Sequence, residues 1–344
     1  MRRNVRELLV HDIAIDLGTA NTLMSMGRNG IVIDEPSLVA TADDGQTIAV
    51  GKEALRMLGR SPVNIHVTRP LIDGVVANFE ATEFMLRYFM ERIQKKFPTG
   101  IKRPRVVIGL PASVTDVERR AVEEAARNAG AGRVFVVDEP IAAVVGSGVP
   151  LLKSKGTVVV DIGGGTTEIA VISYGGIAVT KSLRTAGDEL NEVIQQILRD
   201  EHAIVVGDVT AEEIKKKLVN LTNGSESKRM LVKGKDVMSG LPRHSAIRSE
   251  QLTEPLKKHL RPMIDVVRST LEETPGELLR DVSDHGVILT GGGGLLRGLD
   301  RMLSDELKIP VHVPPNALSA VVEGIAIMQH NPNKYAHIFG ATRV

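Results

Sequence analysis

The sequence predicts an α/β protein built from a duplicated unit. Three observations carry this. Apolar runs of strand length alternate along the chain with segments of helical period. Ile15-Asp16-Leu17-Gly18-Thr19 recurs as Val160-Asp161-Ile162-Gly163-Gly164, each time closing an apolar run. The 344 residues suit two domains better than one, and 42% hydrophobic with 25% charged residues can fill a large core.

The first strand is read at Ile13–Leu17, ending in Gly18, and a second at 30–33 after a Gly27-to-Gly30 turn. From Glu35 to Pro70 the chain turns polar and loop-rich, as a small inserted subdomain would. Residues 82–94 place Met85, Leu86, Phe89 and Ile93 at helical spacing. Strands follow at 105–109 and 134–137. Between them lies a helix over 115–128, with a Thr115/Glu118 capping box and Gly130 at its C-terminal cap. Thr157–Ile162 is nearly all β-branched, as in a buried central strand, and 169–172 follows it. Helices are read at 190–198 and at 210–219, the second with a Thr210/Glu213 capping box. Residues 222–250 are polar and Lys-rich, with Gly240-Leu241-Pro242-Arg243 as a turn between strands. A helix over 255–273, a strand at 287–289, four glycines and a helix over 295–307 complete the series.

Composition removes several classes. There is no Cys, which excludes disulfides, zinc–thiolate sites and Cys nucleophiles. Net charge is +1, without the basic excess of a nucleic-acid binder. No run approaches the ~18 apolar residues of a membrane span. The basic N-terminus lacks the apolar core of a signal peptide, so a cytoplasmic location is expected.

A phosphate chain needs backbone N–H groups that no Cβ obstructs. Glycine turns provide them, and hydroxyls add donors. Gly18-Thr19-Ala20-Asn21 and Gly163-Gly164-Gly165-Thr166-Thr167 both fit. Either turn alone is equally a tight hairpin; the matched pair points to phosphate. Asp16 and Asp161 then suit Mg²⁺, held through water, because a bare carboxylate repels phosphate. Glu139, between a strand and Pro140, is either a surface loop acid or a carboxylate that orients an attacking water. Gly291-Gly292-Gly293-Gly294 lets backbone approach a base or phosphate, or is simply a permissive strand-to-helix loop. It is neither a dinucleotide fingerprint nor a Walker A sequence. Glu212 and Lys215 share a helix face, as a solvated ion pair or as a grip on ribose and base.

These motifs, in this order, resemble the actin, sugar kinase and DnaK-type chaperone superfamily. Ile15 to Thr22, 105–111, Val117-Glu118-Arg119-Arg120, 161–170, Ala186-Gly187-Asp188-Glu189 and Leu289-Thr290-Gly291-Gly292-Gly293 narrow the resemblance to the MreB family of bacterial actins, over about residues 12–328. The resemblance implies an actin-like ATPase fold of two duplicated ribonuclease-H-like α/β domains, each with a smaller inserted subdomain. The first lobe would span 1–145, with an insertion at about 34–69 and a return at 315–330. The second would span 146–314, with an insertion at about 186–250, and 331–344 would be a polar tail. ATP and Mg²⁺ would lie between the lobes. Thr19, Ala20, Asn21, Gly163, Gly164 and Gly165 would hold the phosphates. Glu212, Glu213, Ile214 and Lys215, with Gly291–Gly294, would hold the adenosine. Glu139 would position the lytic water, with Thr167 near the terminal phosphate. The expected activity is slow ATP hydrolysis coupled to double protofilaments. These would lie on the inner face of the cytoplasmic membrane beside cell-wall elongation proteins and maintain rod shape, without nucleic acid. Val5, Leu8 and Leu9, flanked by Arg2, Arg3 and Arg6, or Phe97 and Ile101, would anchor to lipid. The chain departs from the family pattern at Lys217-Leu218-Val219, at 221–227 and after His330. A small-molecule kinase would need a polar substrate pocket, for which no residues present themselves. A chaperone would need a further substrate-binding domain.

Overall fold

The structure, a computed structural model, describes residues 12–97, 103–151, 156–222 and 227–340. Strand β1 (Ile13–Leu17) turns at Gly18 into β2 (Asn21–Met26), and β3 (Ile31–Pro36) completes an antiparallel meander. Next come β4 (Val39–Ala42), β5 (Thr47–Val50), helix α1 (Lys52–Met57) and β6 (Ile65–Thr68). They form a three-stranded sheet in the order β5-β4-β6 over Leu38, Ala40, Ala49 and Ala54. The sequence predicted a loop-rich stretch here. Its strands are four residues long and mix Thr and Ala with Val, so they lack an apolar alternation to detect.

A short hairpin, β7 (Leu71–Ile72) and β8 (Val75–Val76), turns at Asp73 and Gly74. Helix α2 (Phe79–Lys96) buries Met85, Leu86, Phe89 and Ile93, the residues its periodicity marked. Then follow β9 (Arg105–Leu110), α3 (Asp116–Asn128) with the expected Thr115/Glu118 box, β10 (Arg133–Asp138) and α4 (Glu139–Gly146). Helix α4 was not foreseen. Its residues are apolar all round, so no amphipathic period betrays it.

The second half repeats the plan. Strands β11 (Thr157–Ile162), β12 (Thr167–Ser173) and β13 (Gly176–Leu183) form a meander, followed by α5 (Gly187–His202). Strand β14 (Ile204–Val205) comes next, then α6 (Asp208–Leu218). Gly207 is the N-cap of α6 and no side chain caps it, so the predicted Thr210/Glu213 box does not form; Thr210 lies within the first turn. Strands β15 (Arg229–Asp236) and β16 (Pro242–Arg248) make the predicted hairpin around Gly240 and join β14 in a small sheet. Helix α7 (Ser249–Glu272) starts six residues before its predicted onset. It carries Pro255 and Pro262 internally, because burial of Leu252, Leu256 and Leu260 outweighs the missing N–H bonds. After α8 (Gly276–His285) and β17 (Val287–Thr290), the four glycines form a helical turn of their own, α9 (Gly291–Gly294). Gly298, at φ +82, separates it from α10 (Leu299–Leu307). Strand β18 (Val311–His312), α11 (Ala320–His330) and α12 (Ala336–Gly340) finish the described chain.

Two five-stranded sheets result, ordered β3-β2-β1-β9-β10 and β13-β12-β11-β17-β18. Both have three antiparallel strands followed by two parallel ones, so the second sheet repeats the order and sense of the first. Strand alternation divides each sheet between two cores. Ile13 and Ile15 face α2 and α3, and Val158 and Val160 face α5, α6 and α7. Ala14, Val107, Val159 and Ala170 face a third cluster that α4 and α11 share between the sheets. There α4 and α11 meet backbone to backbone: a Cβ on Gly146 would lie 1.8 Å from the Ala320 carbonyl, and one on Gly324 1.9 Å from that of Ala142. The predicted polar tail needs correction, since Tyr335 and Ile338 are buried in this cluster and Phe339 meets Phe135 edge-on. Among the described residues, no helix is long and apolar enough to cross a membrane.

Candidate functional site

The two Asp-Gly turns close in the same way. Gly18 N–H donates to the Asn21 carbonyl (3.1 Å) and Gly163 N–H to that of Thr166 (2.8 Å). They also abut: a Cβ on Gly164 would fall 2.6 Å from that of Ala20, and one on Gly165 3.0 Å from Thr19 Oγ1. Within the first half, Thr19 Oγ1 accepts from Gly74 N–H at 2.9 Å, and ion pairs to the second half lie beside it. Arg69 reaches the Thr19 carbonyl and Asp188, and Arg184 lies 3.4 Å from Asp73.

Beneath the turns, three buried carboxyl groups and the half-buried Asp16 come together from different elements. Asp16 stands on β1 and Asp161 on β11; Glu139 opens α4 and Glu168 lies on β12. Burial and the Asp161 charge push Asp16 up to about 7. Burial, then the charges of Asp16, Glu168 and Asp161, raise Glu139 well above the usual carboxylate range. Burial raises Asp161, and its Oδ1 accepts no hydrogen bond. Glu168 is 1% exposed and pushed up to about 8 by burial; its Oε2 accepts from Ala112 N–H at 3.2 Å and its Oε1 has no partner. Such a cluster of hard oxygens, each ionised only at a cost, fits a small divalent cation. Among the described residues, no three His, Cys, Asp or Glu side chains converge on a common point.

Sequence reading did not single out Glu168. Successive strand residues face opposite sides. Glu168 pairs with Asp161 across β11–β12 and shares its face, whereas Thr167 pairs with Ile162. Thr167 is fully buried at the start of β12 and its hydroxyl donates to the Thr185 carbonyl at 2.6 Å, which leaves the oxygen's lone pairs as acceptors. The hydroxyl beside the glycines belongs to Thr166, close to Gly163 and Gly74.

On α6, Glu212 and Lys215 form the ion pair their spacing allowed, at 2.7 Å. Lys215 Nζ donates to the Gly187 carbonyl and Asn191 to Glu212, which is held at about 2 despite partial burial, chiefly by Lys215. Glu213 is exposed and paired with Lys217. Ile214 is fully buried in the second core, so its side chain cannot meet a nucleotide. Arg297 donates to the Lys216 and Lys217 carbonyls, which sets the end of α6 against the glycine turn α9. Gly291 and Gly293 are required by packing: a Cβ would strike Ile162, next to Asp161, at 2.2 and 2.3 Å. Phe97 is partly buried against the first core, with Lys96 over its ring; Val5, Leu8, Leu9 and Ile101 lie outside the described residues.

The model of the MreB/Mbl protein family matches residues 10–337. The chain belongs to the MreB/Mbl family. Curated relatives include the cell shape-determining protein Mbl of Bacillus cereus, 43% identical over 94% of this chain and 97% of that one. The cell shape-determining protein MreB of Escherichia coli is 42% identical over 94% of each chain. Among solved structures, MreB5 of Spiroplasma citri bound to ADP superposes with a TM-score of 0.90, at 34% identity, over 95% of this chain and 98% of that one. The same protein bound to AMPPNP gives 0.89 with equal coverage. The fold of this MreB/Mbl family member is therefore actin-like, and its two matching sheets are the duplicated units of that fold.

Proposed function

We propose that this MreB/Mbl family chain is an ATP-dependent polymerising cytoskeletal protein. In this reading its filaments lie on the inner face of the cytoplasmic membrane, organise cell-wall synthesis and maintain rod shape. The observation that carries it is the abutting pair of Asp-Gly turns over a buried carboxylate cluster, joined by contacts from both halves. Relatives over 40% identical are cell shape-determining proteins, and MreB5 of Spiroplasma citri binds ADP and AMPPNP.

In this reading the backbones of Thr19, Ala20 and Asn21 and of Gly163, Gly164 and Gly165 bind the phosphates, with the Thr166 hydroxyl beside them. Asp16 and Asp161 hold Mg²⁺ largely through water, and the ion neutralises the phosphates when bound. Glu139 orients the attacking water and takes its proton, for which a raised affinity for protons suits it. The Glu212–Lys215 pair and the α9 turn border the adenosine. The lobes divide near residue 146, with the small sheets as insertions and α11 returning to the first lobe. Peripheral attachment would fall to Val5, Leu8 and Leu9, because lipid insertion of Phe97 would first require its ring to leave the core.

Sedimentation with Mg·ATP, with and without anionic vesicles, tests the reading. Filaments by electron microscopy that depend on nucleotide are expected. Soluble, unassembled protein at concentrations well above micromolar in both conditions would refute it.

A further inference from the structure

Glu168 is the one carboxyl of the buried cluster to which the proposed site gives no part. It is 1% exposed, on a central strand of the second sheet. Its Oε2 crosses to the other half of the molecule and accepts the N–H of Ala112, while its Oε1 faces the cluster without a partner. Burying a carboxyl with one oxygen unsatisfied is costly, so packing alone does not account for it.

The segment it holds is short and well connected. Pro111-Ala112-Ser113 follows directly on β9, whose last residue, Leu110, is in register with Asp138 of β10. The next residue after Asp138 is Glu139. Pro111 in turn lies against Gly74, where a Cβ would be 2.8 Å from its ring and 3.7 Å from the Thr166 hydroxyl. Gly74 N–H donates to Thr19 Oγ1. The hydrogen bond that Glu168 accepts from Ala112 thus ties the second sheet to a segment that packs on Gly74, itself beside Thr19 and Thr166 of the two turns, and that follows the strand paired with the one ending before Glu139.

We propose that Glu168 is a positioning residue for ATP hydrolysis, seating the Pro111–Ser113 segment so that Glu139 and the two phosphate turns keep their register across the cleft. The inference rests on the nucleotide reading of the site. In the step it serves, the water oxygen bonds the terminal phosphorus as the bond to the ADP oxygen breaks. The water's proton passes to Glu139 and then to the released phosphate. Glu168 touches none of the reacting atoms; its contribution is the angle and distance at which Glu139 meets the water.

Reach and charge can be separated. Glu168→Gln keeps the length and an acceptor oxygen for Ala112 but loses the charge. Glu168→Asp keeps the charge and draws the oxygen back by one methylene. Phosphate release under saturating Mg·ATP gives kcat, calorimetry gives nucleotide affinity, and pelleting in parallel fixes the polymer mass. Turnover of Glu168→Gln within about threefold of the natural protein is expected, with Glu168→Asp slowed about tenfold. Nucleotide affinity should stay within about twofold in both. Equal turnover in Glu168→Asp and the natural protein overturns the proposal, and so does Glu168→Gln falling as far as Glu168→Asp. Affinity falling in step with turnover also overturns it, because that marks a general structural role. A natural protein that binds no nucleotide at all rejects the site itself, which this comparison shows separately.

Discussion

Asp161 and Glu139 differ in what their removal should do, although both are buried acids in one cluster. Asp161 has an oxygen without a hydrogen-bond partner and stands at the end of a strand next to a glycine turn, and in the proposed reading its charge serves an ion. Asp161→Ala should abolish Mg²⁺-dependent nucleotide binding, read by calorimetry, whereas Glu139→Ala should retain binding and lose at least about 100-fold in turnover. The shared burial has a pH consequence. Asp16 rises from 3.8 to about 7 in the fold, so between these values the folded chain binds more protons than the unfolded one. The associated stability is full below about pH 4 and is lost as pH climbs through 7. Metal-free protein should therefore show a falling thermal midpoint from pH 5.5 to 8, and Mg·ATP should flatten the slope; a midpoint that rises over this range would contradict the cluster. Asp16 and Asp161 were legible because their motif occurs twice. Glu168 was not, since it reads as one more strand residue until β11 and β12 are paired.

At the scale of elements, glycine decides more than hydrophobicity does. Helices α4 and α11 approach so closely that Gly146 and Gly324 each face a carbonyl of the other helix. No side chain can be accommodated there without parting the helices. Gly324→Ala should cost about 3 kcal/mol and lower the calorimetric midpoint, while Ile327→Ala on the exposed face of α11 should change stability by less than about 1 kcal/mol. Elements with an amphipathic period or a cap, such as α2 and α3, were readable from sequence. Those formed by tertiary contact were not. Helix α4 is apolar on every side, α9 consists of glycine alone, and the first six residues of α7, ahead of Pro255, went unread. In each case packing overrides the local signal.

Across the whole molecule, ion pairs beside the two turns link the halves. Arg69 bonds the Thr19 carbonyl and meets Asp188 at 3.5 Å, with Arg184 and Asp73 alongside. All are partly solvated, so each pair contributes about 1 kcal/mol or less. Arg69→Ala should speed ADP release roughly two- to fivefold in stopped-flow measurements, and 0.5 M salt should shrink the difference, because screening removes the same attraction. An unchanged release rate would show that the turns alone set closure. Duplication was visible in the sequence at this scale, but the links between the halves were not: Arg69 and Asp188, 119 residues apart, carry no local pattern.

The glycine crossing of α4 and α11 then has a mechanical meaning. At Gly146 and Gly324 the backbones touch directly, while around that point Ile141, Val144 and Val145 of one helix and Val321, Val322 and Ile325 of the other are buried in the same cluster. The pair is therefore a stiff axle that transmits a displacement of one half to the other. Glu139 is the first residue of α4, so in the proposed reading any twist of that axle would carry the water-orienting carboxylate with it. Twist would set the rate of the chemical clock.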